Sequence, residues 1–252
     1  MNQRVLVTAG ASGIGREIAR AFAAGGARVF VCDIDEAALG ALANEHPGIE
    51  TMRCDVSRRA EIERMVPAAL QALGGLDVLV NNAGIAGPTV PVEEVPPDEW
   101  DRVVQVNLTA AFDVTRLAIP ALKRSPAGVV LVMSSAAGRF SYPNRIAYAS
   151  TKWGLIGFTK TLAMELGRYG IRANAILPGT VDGERIQRVF EGRAKVSGRS
   201  VDEVREESMR NQSIRSLVDP RDIAALAVFL ASDAGKSISG QALGIDNDIQ
   251  RL

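Results

Sequence analysis

Short apolar runs alternate with stretches of helical period from one end of the chain to the other. Positions 5–7, 28–32, 51–55, 78–81, 128–134, 172–176 and 242–245 read as strands. Positions 13–24, 36–44, 58–73, 98–124, 148–168 and 220–231 read as helices. Several strands, such as Val129-Val130-Leu131-Val132, are apolar at every position, as expected where both faces of a parallel sheet are covered. The alternation predicts an α/β fold: a Rossmann-type, doubly wound parallel sheet of about seven strands with helices on both faces. No linker, repeat or low-complexity tract interrupts it, so residues 1–252 read as one domain. One stretch breaks the pattern. Residues 183–216 carry dense charge of both signs, and their apolar exceptions, Ile186, Val189 and Phe190, share one helical stripe. Two readings stay open: a solvated surface excursion, or a lid whose stripe closes over a substrate.

Composition narrows the function classes. Apolar residues make up 47 % of the chain, enough for a sizeable core. Lys+Arg and Asp+Glu are 29 each, so no net field draws nucleic acid or an anionic membrane, while self-association is permitted. The two cysteines, Cys32 and Cys54, lack metal-site spacing, and the single histidine, His46, lies in a polar stretch before Pro47. A metal site or a histidine-based mechanism is therefore not expected. No apolar run approaches membrane-spanning length and no signal-peptide layout opens the chain, so a soluble cytoplasmic protein is expected.

Three features carry chemistry. The first strand runs into Thr8-Ala9-Gly10-Ala11-Ser12-Gly13-Ile14-Gly15 and then a helix. Glycines there let backbone amides approach a pyrophosphate at the helix N-terminus, although tight strand-to-helix turns need glycine structurally too. The second strand ends in Asp33, whose carboxylate can accept from ribose hydroxyls and repel a 2′-phosphate, or can cap the helix starting near Asp35. Ser12 and Ile34 stand where a basic residue would favour that phosphate, so NAD is expected over NADP. Tyr148 and Lys152 stand four apart, with Ser135 thirteen residues upstream of Tyr148. On a helix the phenol and ammonium share a face, and the positive charge lowers the phenol's pKa. Such pairs also arise by chance on helix surfaces.

Taken in order, the glycine turn, Asp55-Val56, Asn81-Asn82-Ala83-Gly84, Asn107, Ser135, Tyr148-x-x-x-Lys152 and Pro178-Gly179 resemble the short-chain dehydrogenase/reductase family over nearly the whole chain. The resemblance implies Tyr148 as general acid/base, with Lys152 tuning it and binding the nicotinamide ribose. It implies Ser135 on the substrate oxygen and Asn107 anchoring a water that relays protons from Lys152. It further implies Gly10, Ser12, Gly13, Ile14 and Gly15 on the pyrophosphate, and Asp55 and Val56 on the adenine. Asn82, Ala83 and Gly84 would pass along the cofactor ribose, and Pro178, Gly179 and Val181 along the nicotinamide. A homotetramer and a small-molecule alcohol or ketone substrate follow by the same analogy. The rival readings are an NADPH-dependent 3-oxoacyl-carrier-protein reductase and a catalytically silent nucleotide sensor.

Three positions depart from the family pattern. Ala9 stands where glycine is usual and is strained if its φ is positive, unless Gly10 takes the bend. The usual threonine after Pro178-Gly179 is missing, leaving Thr180 as the replacement contact to the nicotinamide carboxamide. Asp246-Asn247-Asp248 replaces Asp-Gly-Gly, with residues that tolerate left-handed backbone. On the substrate side, Arg139, Phe140, Tyr142, Asn144 and Arg145 precede Tyr148, and Phe190 lies on the lid stripe. Arg145 stands where 3-hydroxybutyrate dehydrogenases carry a carboxylate-binding lysine, so an anionic hydroxy acid is expected, with a polyol or sugar also open. Alternatively Arg145 pairs with an acid at a subunit interface.

Overall fold

Successive residues of each central strand serve opposite faces of one sheet. In a computed structural model describing residues 3–251, Val5, Val7, Val78, Val80, Val129 and Leu131 belong to one apolar cluster. Leu6, Leu79, Val130 and Val132, interleaved with them, belong to another. Two covered faces explain the uninterrupted apolar runs, each fully buried aliphatic side chain contributing about 1.5–3 kcal/mol.

The strands are β1 (Arg4–Thr8), β2 (Arg28–Asp33), β3 (Ile49–Arg53), β4 (Val78–Asn81), β5 (Val129–Met133), β6 (Arg172–Pro178) and β7 (Ala242–Ile245). They form a parallel sheet in the order β3-β2-β1-β4-β5-β6-β7. The helices are α1 (Gly13–Ala24), α2 (Glu36–Glu45), α3 (Arg59–Leu73), α4 (Pro97–Val104), α5 (Ala110–Leu122), α6 (Ile146–Leu166), α7 (Glu184–Ser197), α8 (Val201–Arg210) and α9 (Pro220–Ala231). α1, α2 and α9 supply residues to the first cluster, and α3, α5 and α6 to the second. Strand order reverses between β1 and β4, which opens a crevice beyond the carboxyl ends of those strands. No helix among the described residues is long and apolar enough to cross a membrane.

Three elements differ from the sequence pattern. β3 begins and ends two residues early, because Asp55 has already turned away: its N–H donates to Glu61 and its carboxylate accepts from Ser57. The expected helix 98–124 is interrupted by a π-turn at Gln105–Thr109. There the Asn107 side chain accepts from the Ile85 N–H at 2.7 Å and donates to the Ile85 carbonyl at 3.1 Å. The wider turn accompanies that inward-facing amide. Thirdly, 183–216 folds into α7 and α8. Val189 and Phe190 are buried, and Phe190, 1 % exposed, packs with Ala194 and Val204. This corrects the substrate-facing reading of Phe190, which with Ile186 packs into a small core between α7 and α8.

Ala9 has φ 50°, and Gly10 does not take over the bend. Left-handed backbone costs an alanine about 1–2 kcal/mol, and part of that is offset because glycine loses more chain entropy on folding. Ala9→Gly should therefore raise stability by about 0.5–1 kcal/mol, read as a higher urea midpoint. A lower midpoint would show that the strain is absent. Asn247 and Asp248 likewise have φ 57° and 54°, so the glycine-free C-terminal turn does use left-handed backbone.

Candidate active site

The turn after β1 is held from β4. The Asn82 amide donates to the carbonyls of Thr8 and Ala9, at 3.1 and 2.8 Å, so its side chain is spent on locking the strained Ala9 turn. The Thr8 hydroxyl accepts from the N–H groups of Asn82 and Ala83. α1 approaches so closely that a Cβ on Gly15 would stand 2.3 Å from the Ala9 carbonyl oxygen and 2.4 Å from the Asn82 amide. Gly13, with φ 52°, has no atom within 4 Å of where its Cβ would be, and Ser12 and Gly13 lie exposed. Ile14 follows, half-buried against the core. An open helix N-terminus of this kind suits a pyrophosphate.

Asp33 closes the other side of the crevice. One carboxylate oxygen accepts from the Ala11 N–H at 3.0 Å and the other from the Asp35 N–H at 3.2 Å. The α2 cap is Asp35 itself, which accepts from Ala38, so the capping alternative for Asp33 falls away. Ile34 beside it is 57 % exposed. Asp55 is held below its ordinary value although burial pushes the other way, since Ser57, Arg58 and Arg53 favour its charged form. Val56 is half-buried against the core. Pro178 ends β6, the Gly179 N–H donates to Ile245, and Val181 bridges to Val218. The Thr180 hydroxyl accepts from the Gln212 amide at 3.3 Å, so it is engaged inside the protein. Together these residues fit a dinucleotide, with an acceptor pair for ribose hydroxyls and open amides for phosphate; Arg53, on the neighbouring strand, is ion-paired with Glu36 and Glu61.

Tyr148 and Lys152 share a face of α6, with Lys152 Nζ 5.5 Å from the centre of the Tyr148 ring. Burial pushes the Tyr148 phenol up. Lys152, the Ser135 hydroxyl, Arg185 and Arg145 together outweigh it, leaving the phenol below its ordinary value. Lys152 is 4 % exposed, and burial holds its ammonium below its ordinary value against the pull of Tyr148. Nζ donates to the Met133 carbonyl at 2.8 Å, which aims the side chain at the end of β5. Ser135, just past β5, accepts from the Ala137 N–H at 3.1 Å, and this fixes its hydroxyl beside the phenol. The Asn107 amide is occupied by Ile85 and by the Thr151 hydroxyl, while its oxygen faces the same gap as Lys152. A Cβ on Gly84 would meet the two at 3.3 and 3.4 Å. Gly84 thus leaves open the space between Asn107 and Lys152.

Arg145 is 3 % exposed and lies 5.3 Å from the ring centres of both Tyr142 and Tyr148, whose rings meet edge-on. Its guanidinium donates to the Ala86 carbonyl and the Thr89 hydroxyl, while Nε is buried without a partner. Asn144, with φ 62°, presents its carbonyl to the Val90 N–H and so turns the chain into α6. Two residues missed by sequence reasoning also reach this end of the crevice from α7. Arg185 donates to the Gly84 carbonyl at 2.6 Å, and Arg193 acts on the Tyr142 phenol while donating to Ser208. Their place one before and three after members of the Ile186–Val189–Phe190 stripe was the available signal.

Residues 8–247 match the family model described as Enoyl-(Acyl carrier protein) reductase. The chain is 39 % identical over 246 residues to the D-beta-hydroxybutyrate dehydrogenase of Cupriavidus necator, covering 96 % of this chain and 95 % of that protein. It is 33 % identical to the 3-oxoacyl-(acyl-carrier-protein) reductase of Thermotoga maritima, covering 97 % and 96 %. A crystal structure of NAD+-bound xylitol dehydrogenase superposes with a TM-score of 0.92 at 29 % identity, covering 97 % of each chain. An actinorhodin polyketide ketoreductase variant with NADPH gives 0.91 at 34 %, covering 96 % and 95 %.

Proposed function

The chain belongs to the short-chain dehydrogenase/reductase family, and from that premise we propose that it oxidises or forms the secondary alcohol of an anionic hydroxy acid with NAD as partner. The observation that carries the reading is a ring of cations without an acid. Lys152, Arg145 and Arg185 all act on Tyr148, and among the described residues none of the three is ion-paired with a carboxylate. The Tyr148 phenolate balances one of these charges, and a carboxylate or similar oxyanion on the substrate is drawn to the remainder.

When bound, the nicotinamide supplies the hydride acceptor or donor. The protein's part is proton transfer and positioning. Tyr148, as phenolate, removes the hydroxyl proton of an alcohol, and as phenol it returns a proton to a ketone oxygen. Lys152 stabilises the phenolate, and its second task is to donate to the nicotinamide ribose. Ser135 holds the substrate oxygen, and the Asn107 oxygen and Lys152 frame a place for a relaying water beside Gly84. Asp33 accepts from the adenosine ribose and disfavours a 2′-phosphate. Exposed Phe112, Trp153 and Met164 on α5 and α6 support self-association, in keeping with the homotetramer expected by family analogy.

The test is an initial-rate panel with NAD. It contains 2-, 3- and 4-hydroxy acids, their amides of equal length, and polyols. Acids should exceed their amides in kcat/KM by about 10-fold or more, one charge-assisted contact being enough, and Arg145→Met should narrow that gap. Equal use of acids and amides would sink the reading. A clear preference for NADPH with acyl thioesters would replace it by the carrier-protein reductase reading that the Thermotoga relative favours.

A further inference from the structure

We propose that Arg185, on the first turn of α7, is the residue that selects the substrate's anionic group, exchanging its contact with the Gly84 carbonyl for the substrate carboxylate. The inference rests on the proposed function and adds to it the residue and the movement.

Two arginines hold the loop after β4, and they differ in freedom. Arg145 is nearly inaccessible, wedged between two tyrosine rings and bonded to Ala86 and Thr89, which leaves only Nε to offer. Arg185 is exposed and holds a single neutral acceptor, the Gly84 carbonyl. Elsewhere in the lid, Arg199 and Arg210 are paired with Glu207 and Glu206, so acids are at hand in the sequence but none is directed to Arg185. A guanidinium held by one carbonyl gains by moving to a carboxylate, which it grips through two parallel bonds.

The position matches the need. Gly84 lies against both Lys152 Nζ and the Asn107 oxygen, so the head of Arg185, held on the Gly84 carbonyl, sits next to the proton-transfer groups. Its charge already acts on Tyr148 and on Lys152. An oxyanion a few bonds from the carbinol would bring Arg185 a partner without breaking the Arg145 contacts that hold the loop. Arg145 then orders the loop, and Arg185 reads the substrate's charge.

The experiment uses the full-length enzyme loaded with NAD. Two unreactive probes of equal size, butyrate and butyramide, are titrated by calorimetry. In parallel, kcat and KM are measured for 3-hydroxybutyrate and 3-hydroxybutyramide. Arg185→Gln should weaken butyrate about 10-fold or more, with the loss for the hydroxy acid in KM more than in kcat, while the ratio of butyramide affinities stays near one. Arg185→Lys should restore part of the butyrate affinity, which a merely structural role of the side chain would not require. An unchanged acid-to-amide ratio in Arg185→Gln, with the wild type preferring acids, would overturn the assignment and leave the anionic-substrate reading standing on Arg145. A wild type that does not distinguish butyrate from butyramide would overturn both.

Discussion

Tyr148→Phe is expected to lower turnover by about 10²–10⁴-fold, the usual contribution of a positioned acid/base, with little change in NAD affinity. Phenylalanine keeps the ring that meets Tyr142 edge-on at 6.4 Å, so the packing survives and only the ionisable oxygen is lost. Lys152→Met should act differently. The phenol lies below its ordinary value because Lys152 and its neighbours overcome the upward push of burial. Without the ammonium, burial is opposed only by Ser135, Arg185 and Arg145, and the phenolate appears at higher pH. The oxidative rate, which needs phenolate, rises with pH in the wild type through that lowered pKa, and in Lys152→Met the rise moves upward. A Lys152→Met profile that overlays the wild type would refute the tuning role. Loss of the ribose contact should also raise the KM for NAD in that variant.

A second large effect is expected at Asp33. Two like charges about 4–5 Å apart repel by roughly 3–4 kcal/mol at an effective dielectric constant near 20, on the order of 10²-fold or more in relative cofactor preference. Asp33→Asn removes the charge while retaining one acceptor for the Ala11 or Asp35 N–H, so the turn has a better chance of surviving than with alanine. Combined with Ile34→Arg, at an exposed neighbouring position, the change adds a cation for a 2′-phosphate. The double variant should use NADP at least as well as NAD, measured as the ratio of kcat/KM for the two cofactors. A wild type that already favours NADP would show that Asp33 does not repel the 2′-phosphate.

Elements whose cause is local were legible in the sequence. The apolar runs of β1, β4 and β5 announce strands covered on both faces, and the Tyr148–Lys152 spacing places both groups on one face of α6. The positive φ of Ala9, and the tolerance for it at Asn247 and Asp248, could be anticipated residue by residue. Features created by distant contacts were not legible. The π-turn at Asn107 accompanies contacts with Ile85, and the place of Arg185 depends on α7 returning to Gly84, 101 residues away in sequence. Phe190 was misplaced because its stripe can face substrate or a second helix with equal hydrophobic period. That second helix left a sign in the chain: Ser200 and Glu203 form a capping box at the start of α8.

Proton transfer at this site depends on one ionisation, that of Tyr148 in the field of Lys152. The chain has three tyrosines, so phenolate absorbance can be titrated directly. Burial holds the Tyr142 phenol up, and Tyr169, next to Lys123, titrates alike in wild type and variants. The wild type minus Tyr148→Phe difference should show one phenol ionising below the ordinary value near 10, and that component should move upward in Lys152→Met. A difference titration at or above the ordinary value, unmoved by Lys152→Met, would contradict the assignment of Tyr148 as the tuned acid/base.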